Sequence, residues 1–166
     1  MKVTTLDEKS IHDIGHAFGY YDYGEETGMS AAFSGKEATA NYICAYVRGV
    51  LRGGFLHTTG ERGEGYIAYK LPKQKLGVRT LWPIAQFQPE EARALRYGHQ
   101  ARRCATARSH GQGEEAVYLC RACLCAGAVS GQGYMRKVMD IAFAEGNRLG
   151  VPVILETDAK SKCDKY

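Results

Sequence analysis

The stretch from Val117 to Asp158, VYLCRACLCAGAVSGQGYMRKVMDIAFAEGNRLGVPVILETD, constrains the fold of this chain more than any other. It opens on an apolar, cysteine-rich run that reads as a buried strand. Gly131 and Gly133 punctuate the chain. Met135, Val138, Met139, Ala142, Gly146 and Leu149 then fall on one face at helical spacing. Arg136, Lys137, Asp140, Glu145 and Arg148 lie away from that face. Gly150 stops the helix, Pro152 follows, and Val153 to Leu155 form a second buried strand. The order is strand, glycine turn, amphipathic helix, strand.

A helix N-terminus reached through bare glycines is a ready anion site, because unpaired N–H groups and the macrodipole point there. Arg136 and Lys137 occupy the first turn of this helix. Cations there oppose the macrodipole by about 0.3–1 kcal/mol each, and a bound anion reverses the penalty. The segment therefore predicts a phosphate-bearing ligand.

The 166 residues are long enough for one domain with a real core, spanning 1–166. With 45% apolar and 24% charged residues, the composition excludes a disordered chain. The net charge of +4 suits a polyanionic small ligand without requiring nucleic acid. The opening MKVTTLDEKS lacks the apolar core of a signal peptide. No window approaches ~18 uninterrupted apolar residues. The expectation is a cytoplasmic protein with no membrane partner, its six cysteines free thiols.

Upstream, Ile11, Ile14 and Phe18 predict a helix over 10–20 with Ser10 as N-cap. Residues 24–35 read as loop. Ser34 is the expected cap of a second helix over 36–51, with Ala40, Ile43, Val47, Val50 and Leu51 as its stripe and Gly53-Gly54 as its stop. Strands are expected over 55–59 and 65–71, separated by a turn at Glu61-Arg62-Gly63. A further strand is expected within 76–84, a helix over 89–97 and a loop over 98–115. The recurrence of Gly-Gln-Gly at 111–113 and 131–133 reads as chance.

Three glycine loops compete for the anion site. No Gly-x4-Gly-Lys-Ser/Thr string occurs. The dinucleotide fingerprint lacks its third glycine, where Arg136 stands, although Glu156 could meet a ribose at the end of the next strand. The third reading fits better. Ser130-Gly131-Gln132-Gly133-Tyr134-Met135, followed by Arg136-Lys137-Val138-Met139, resembles motif A of the GCN5-related N-acetyltransferase (GNAT) family. Leu155-Glu156-Thr157-Asp158 and the closing Tyr166 extend the resemblance, which is specific over 117–166 and loose over 1–71.

The resemblance implies an α/β fold with a mixed, mostly antiparallel central sheet flanked by helices. It implies transfer of an acetyl group from acetyl-CoA to a small-molecule or peptide amine by direct attack. Backbone N–H groups of Gln132 to Arg136, in the loop opened by Ser130 and Gly131, would cradle the pyrophosphate. Backbone groups of Leu124 and Cys125, where two strands splay, would pair with the pantetheine arm. A backbone N–H would polarise the acetyl carbonyl. Tyr166 matches the phenol that protonates the departing thiolate. Ser130 stands where the family has Gln or Arg, and Met135 where it has a small residue. The family continues past the position of Tyr166 with two more strands, so the expectation is a domain incomplete at its C-terminus, with the strand at 153–157 left as an open edge. A homodimer could complete it. The alternative is a non-catalytic acyl-CoA binder.

Other constellations carry less. Cys120, Cys123 and Cys125 lie on an apolar strand, the last two on one face, unlike the paired turns of a zinc site, so no metal is expected. His12 and His16 read as a polar helix face, and Cys104 with His99 or His110 has nothing to fix its geometry. Tyr20, Tyr21 and Tyr23 read as packing that could also shape the acceptor side. Glu114, Glu115 and Glu156 are carboxylates near the motif strands. Arg102, Arg103 and Arg108 lack the aromatic interleaving of a nucleic-acid site.

Overall fold

The computed structural model describes residues 1–22, 24, 29–60, 63–86, 103–104, 117–125 and 133–156. For 31–32, 103–104, 118–125 and 156 the description is of the backbone alone. The helix expected over 89–97, most of the loop over 98–115, and Tyr23, His99, Arg102, Arg108, His110, Glu114, Glu115, Thr157 and Asp158 lie outside the described residues.

Helix α1 is Glu8–Gly19 and α2 is Lys36–Gly53. Both caps differ from expectation. The α1 cap is Asp7, whose carboxylate accepts from the Ser10 amide at 2.7 Å, so Ser10 lies inside the first turn. A cap side chain must reach the third helical amide, and Asp7 stands at that distance. These bonds from Ser10 hold the Asp7 carboxyl below its usual value. The α2 cap is Gly35, not Ser34. Its φ of 127° excludes most side chains, and its carbonyl takes both the amide and the hydroxyl of Thr39. A short 3-10 turn, Met29–Ala32, interrupts the expected loop.

Strands β1 (Leu56–Thr58) and β2 (Gly65–Lys70) pair antiparallel, close to their expected bounds. The expected strand within 76–84 is instead a helix, α3, Val78–Ala85. Alternating apolar residues suggest a strand, but packing decides otherwise. Thr80 and Pro83 are buried, and α3 lies so close to α2 that a Cβ at Gly49 would stand 2.3 Å from the Thr80 carbonyl oxygen. Arg103–Cys104 form β3, within a segment that reads as loop. Strand β4 is Val117–Cys125, α4 is Tyr134–Leu149 and β5 is Val153–Glu156.

The architecture is mixed α/β. The strand order is β1-β2-β4-β5-β3, antiparallel except for β4 against β5. Strand β3 pairs along the outer side of β5, Cys104 opposite Leu155 and Arg103 opposite Glu156. The open edge expected on β5 is therefore covered at these residues, by a segment without a readable hydrophobic period.

The sheet is sandwiched. Tyr66 and Ala68 of β2 join Ile11, Ile14, Ile43 and Val47 in the core under α1 and α2. Ile67 and Tyr69 point the other way, to Val117, Val138, Met139, Ala142 and Leu155 beneath α4. Period-two alternation thus feeds two cores from one strand. Leu149, expected on the buried face of α4, is 38% exposed. Gly150 (φ 66°) has already turned the chain, and the Val151 amide closes back on the Gly146 carbonyl at 3.0 Å.

Gly146 is what lets α4 settle against β5: a Cβ there would meet Val153 Cγ2 at 2.6 Å and the Val151 carbonyl at 3.0 Å. In an open helix Gly→Ala gains about 1 kcal/mol. Here Gly146→Ala should instead cost about 1–3 kcal/mol by overpacking. Urea denaturation checks this, and adding Val153→Ala should lessen the clash, giving a coupling term in the double-mutant cycle.

Candidate functional site

The site is built where β4 and β5 part. Val117, Tyr118 and Leu119 pair with Val153, Ile154 and Leu155. Beyond Leu119, β4 continues to Cys125 paired with β2 alone among the described residues. The β2–β4 ladder shifts at the same place. Leu119 lies opposite Tyr69 and Cys123 opposite Ile67, so β4 spends four residues where β2 spends two. Such a bulge bends a strand and sharpens its twist. The result is a length of β4 held by β2 on one side, with no described strand on the other.

Helix α4 connects these two parallel strands. It leaves beyond the carboxyl end of β4 and returns to the start of β5, where Val153 faces Val117. Its N-terminus therefore lies toward the end of the sheet where no further β4–β5 pair is described, the usual place for a ligand in a βαβ unit. Gly133 caps it at φ 77°, with no side-chain bond and no acid in the first turn. The amides of Arg136 and Lys137 turn back to the Gly133 carbonyl at 3.1 and 3.4 Å. Helix geometry leaves the preceding amides directed out of the end.

Of the expected site residues, the backbone of Leu124 and Cys125 lies on this stretch of β4, opposite Tyr66 and Gly65. Gly133, Tyr134, Met135 and Arg136 form the helix start. The topology brings these two groups to one end of the sheet. Ser130, Gly131, Gln132 and Tyr166 lie outside the described residues. Met135 does not stand in the way of an anion, because its side chain packs on the core beneath α4. Arg136 is exposed. Lys137 has a structural neighbour, its Nζ lying 4.5 Å from the Tyr134 ring centroid. That cation–π pairing offsets part of its conflict with the macrodipole, so Arg136 is the clearer anion signal.

The side chains of Cys120, Cys123 and Cys125 fall outside the description, while Cys44 is a buried free thiol donating to the Ile11 carbonyl. Burial pushes its pKa up, the character of an inert core cysteine. His12 and His16 lie on the exposed face of α1, where His16 stacks on Tyr20 at 4.1 Å. The Tyr20 hydroxyl donates to Glu37 at 2.9 Å. No group of three or more metal-ligating side chains occurs among the described residues.

One chemical group lacked any sequence signal. His57 of β1 is half-buried, stacked on Tyr69 at 4.3 Å, and its Nδ1 donates to the Phe55 carbonyl at 3.0 Å. Burial pulls its pKa down, which favours the neutral ring. It pairs with Ile67, so it is separated from β4 by the width of β2. Only the paired register brings His57 and Tyr69 together, because they are distant in sequence.

Compared with protein families, with curated proteins and with solved structures, the chain matches none.

Space is not what requires glycine at 133: a Cβ would meet nothing within 4 Å there. The φ of 77° is the requirement. Gly133→Ala should therefore destabilise the protein by about 1–2 kcal/mol, while Gly133→Asn, which tolerates this conformation, should cost less. Thermal unfolding of the two variants checks the order.

Proposed function

We propose that the chain is an acyltransferase of the GNAT type, moving an acetyl group from acetyl-CoA to an amine. The observation that carries this reading is a coincidence of three features at one end of the sheet. Among the described residues the last β4–β5 pair is Leu119 with Leu155, the β4 backbone runs on to Cys125, and α4 begins toward that end at Gly133, with no side-chain cap. An extended amide chain ending in pyrophosphate suits that arrangement. The amide-bearing arm can pair with the edge of β4 as an added strand does. The pyrophosphate can then meet the helix amides. Arg136, exposed in the first turn, supplies the nearby positive charge.

The dinucleotide reading has less support. That fold needs parallel neighbours on both sides of its motif strand, whereas β4 has antiparallel β2 on one side.

In the proposed reaction a neutral amine attacks the thioester carbonyl, the C–N bond forms and the C–S bond breaks, the nitrogen sheds a proton to solvent, and the thiolate takes one from an acid. No acyl-enzyme is required. A β4 backbone N–H near Leu124 and Cys125 would stabilise the developing oxyanion. Tyr166 is proposed as the acid that protonates the thiolate, by resemblance alone.

Thermal shift with acetyl-CoA, CoA and NAD tests the ligand. Acetyl-CoA and CoA should raise the Tm. Arg136→Glu should weaken both by about tenfold, because it removes a charge-assisted hydrogen bond to phosphate and sets a like charge in its place. Stabilisation by NAD alone would overturn the reading. Thiol release across an amine panel tests turnover, and binding without release would identify a non-catalytic acyl-CoA binder.

A further inference from the structure

We propose that the exposed face of α3 and the turn before it form a docking surface for an anionic lipid bilayer.

The surface is contiguous in sequence and fixed in structure. Lys70 Nζ donates to the Gln74 carbonyl at 3.0 Å, and the Leu71 amide donates to Gln74 Oε1 at 2.8 Å. The Gln74 amide returns to the Leu71 carbonyl at 3.2 Å. These bonds hold the turn, with Lys73 in the left-handed region at φ 64°. Thr80 and Pro83 anchor the inner face of α3. What remains points outward. Leu76 is 45% exposed, Val78 76%, Leu81 47% and Trp82 57%. Val78, Leu81 and Trp82 recur at helical spacing and share the outer face of α3. Lys73, Lys75 and Arg79 are exposed among them, and no acid occurs between Glu64 and Glu90.

Four large apolar side chains are thus left largely in water. Their chemistry selects the partner. Tryptophan and leucine flanked by lysine and arginine are what an interfacial helix presents to a membrane, apolar rings and chains entering the acyl boundary while cations meet anionic headgroups. A second copy fits poorly. A two-fold interface would set this patch against itself, bringing Lys73, Lys75 and Arg79 near their own equivalents. A protein groove demands matching shape, whereas a fluid bilayer accepts side chains of unequal length. The surface would lie on a membrane, since no described helix is long and apolar enough to cross one. It is independent of the site on β4 and α4, and of the activity proposed there.

The full chain carries its own reporter, because Trp82 is its only tryptophan. Vesicles of phosphatidylcholine with phosphatidylserine should shift its emission to the blue and carry the protein upward in flotation at low salt. Pure phosphatidylcholine vesicles should bind far less, and added salt should release the protein. Replacing Lys73, Lys75 and Arg79 together by Glu should leave the circular dichroism unchanged and weaken anionic-vesicle binding by about tenfold or more. Leu81→Ser gives a second folded variant with weakened binding. Absence of shift and flotation would overturn the proposal. So would equal binding to neutral vesicles, or full binding by the charge-reversed protein. A blue shift with polyglutamate and none with vesicles would assign the surface to an acidic protein instead. A dimer in sedimentation velocity that Trp82→Ser dissolves would assign it to a second copy.

Discussion

The candidate site depends on one irregularity in hydrogen bonding, the extra residues that β4 inserts between Leu119 and Cys123 against Tyr69 and Ile67. The bulge bends β4 just past Leu119, the last of its residues paired with β5 among those described. Backbone donors and acceptors of the outer edge of β4 are then turned toward a space that holds no described strand. Such groups need a partner. A strand edge with no described neighbour stands here at the same end of the sheet as a helix terminus with no described cap beyond Gly133. The proposed ligand, an amide chain with an anionic end, would complement both.

The rest of the fold holds that end of the sheet in place. Strand β2 is bonded on both sides and buried on both faces, with Tyr66 and Ala68 in one core and Ile67 and Tyr69 in the other. It couples the α1–α2 layer to the α4 layer. Helix α4 in turn is pressed down by Val138, Met139 and Ala142, and drawn close to β5 at Gly146. A shift of α4 along its axis would move the Gly133 end away from β4. Packing far from the helix start therefore sets the geometry of the proposed anion site.

Much of this was legible in the sequence, and most exceptions share a cause. The stripe from Ile11 to Phe18, the α2 face, the alternation of β2 and the strand–glycine–helix–strand order from Val117 all survive, because each is a local hydrophobic period that burial enforces. Most of what failed depended on partners remote in sequence. Leu76 to Ile84 alternates like a strand, yet Gly49 and Gly53 of α2 leave a place that Thr80 fills as part of a helix. Arg103 and Cys104 have no strand pattern and are recruited by β5. The caps missed for local reasons: Asp7 stands three residues before Ser10, where its carboxylate reaches the Ser10 amide, and Gly35 rather than Ser34 has the backbone angle that α2 starts from. At the site, the glycine turn and the cations of α4 could be read, but the bulge that makes room beside them could not. It exists only as a mismatch between two strands.

Amide hydrogen exchange with and without acetyl-CoA addresses the central claim most directly, because the proposed bonds are made by backbone N–H groups. Saturating acetyl-CoA should slow exchange on the β4 stretch from Cys120 to Cys125 and at the α4 start from Gly133 to Lys137 together. The edge of β1 should change little. Protection confined to other elements, or unchanged exchange at both β4 and α4 despite measured binding, would contradict the account.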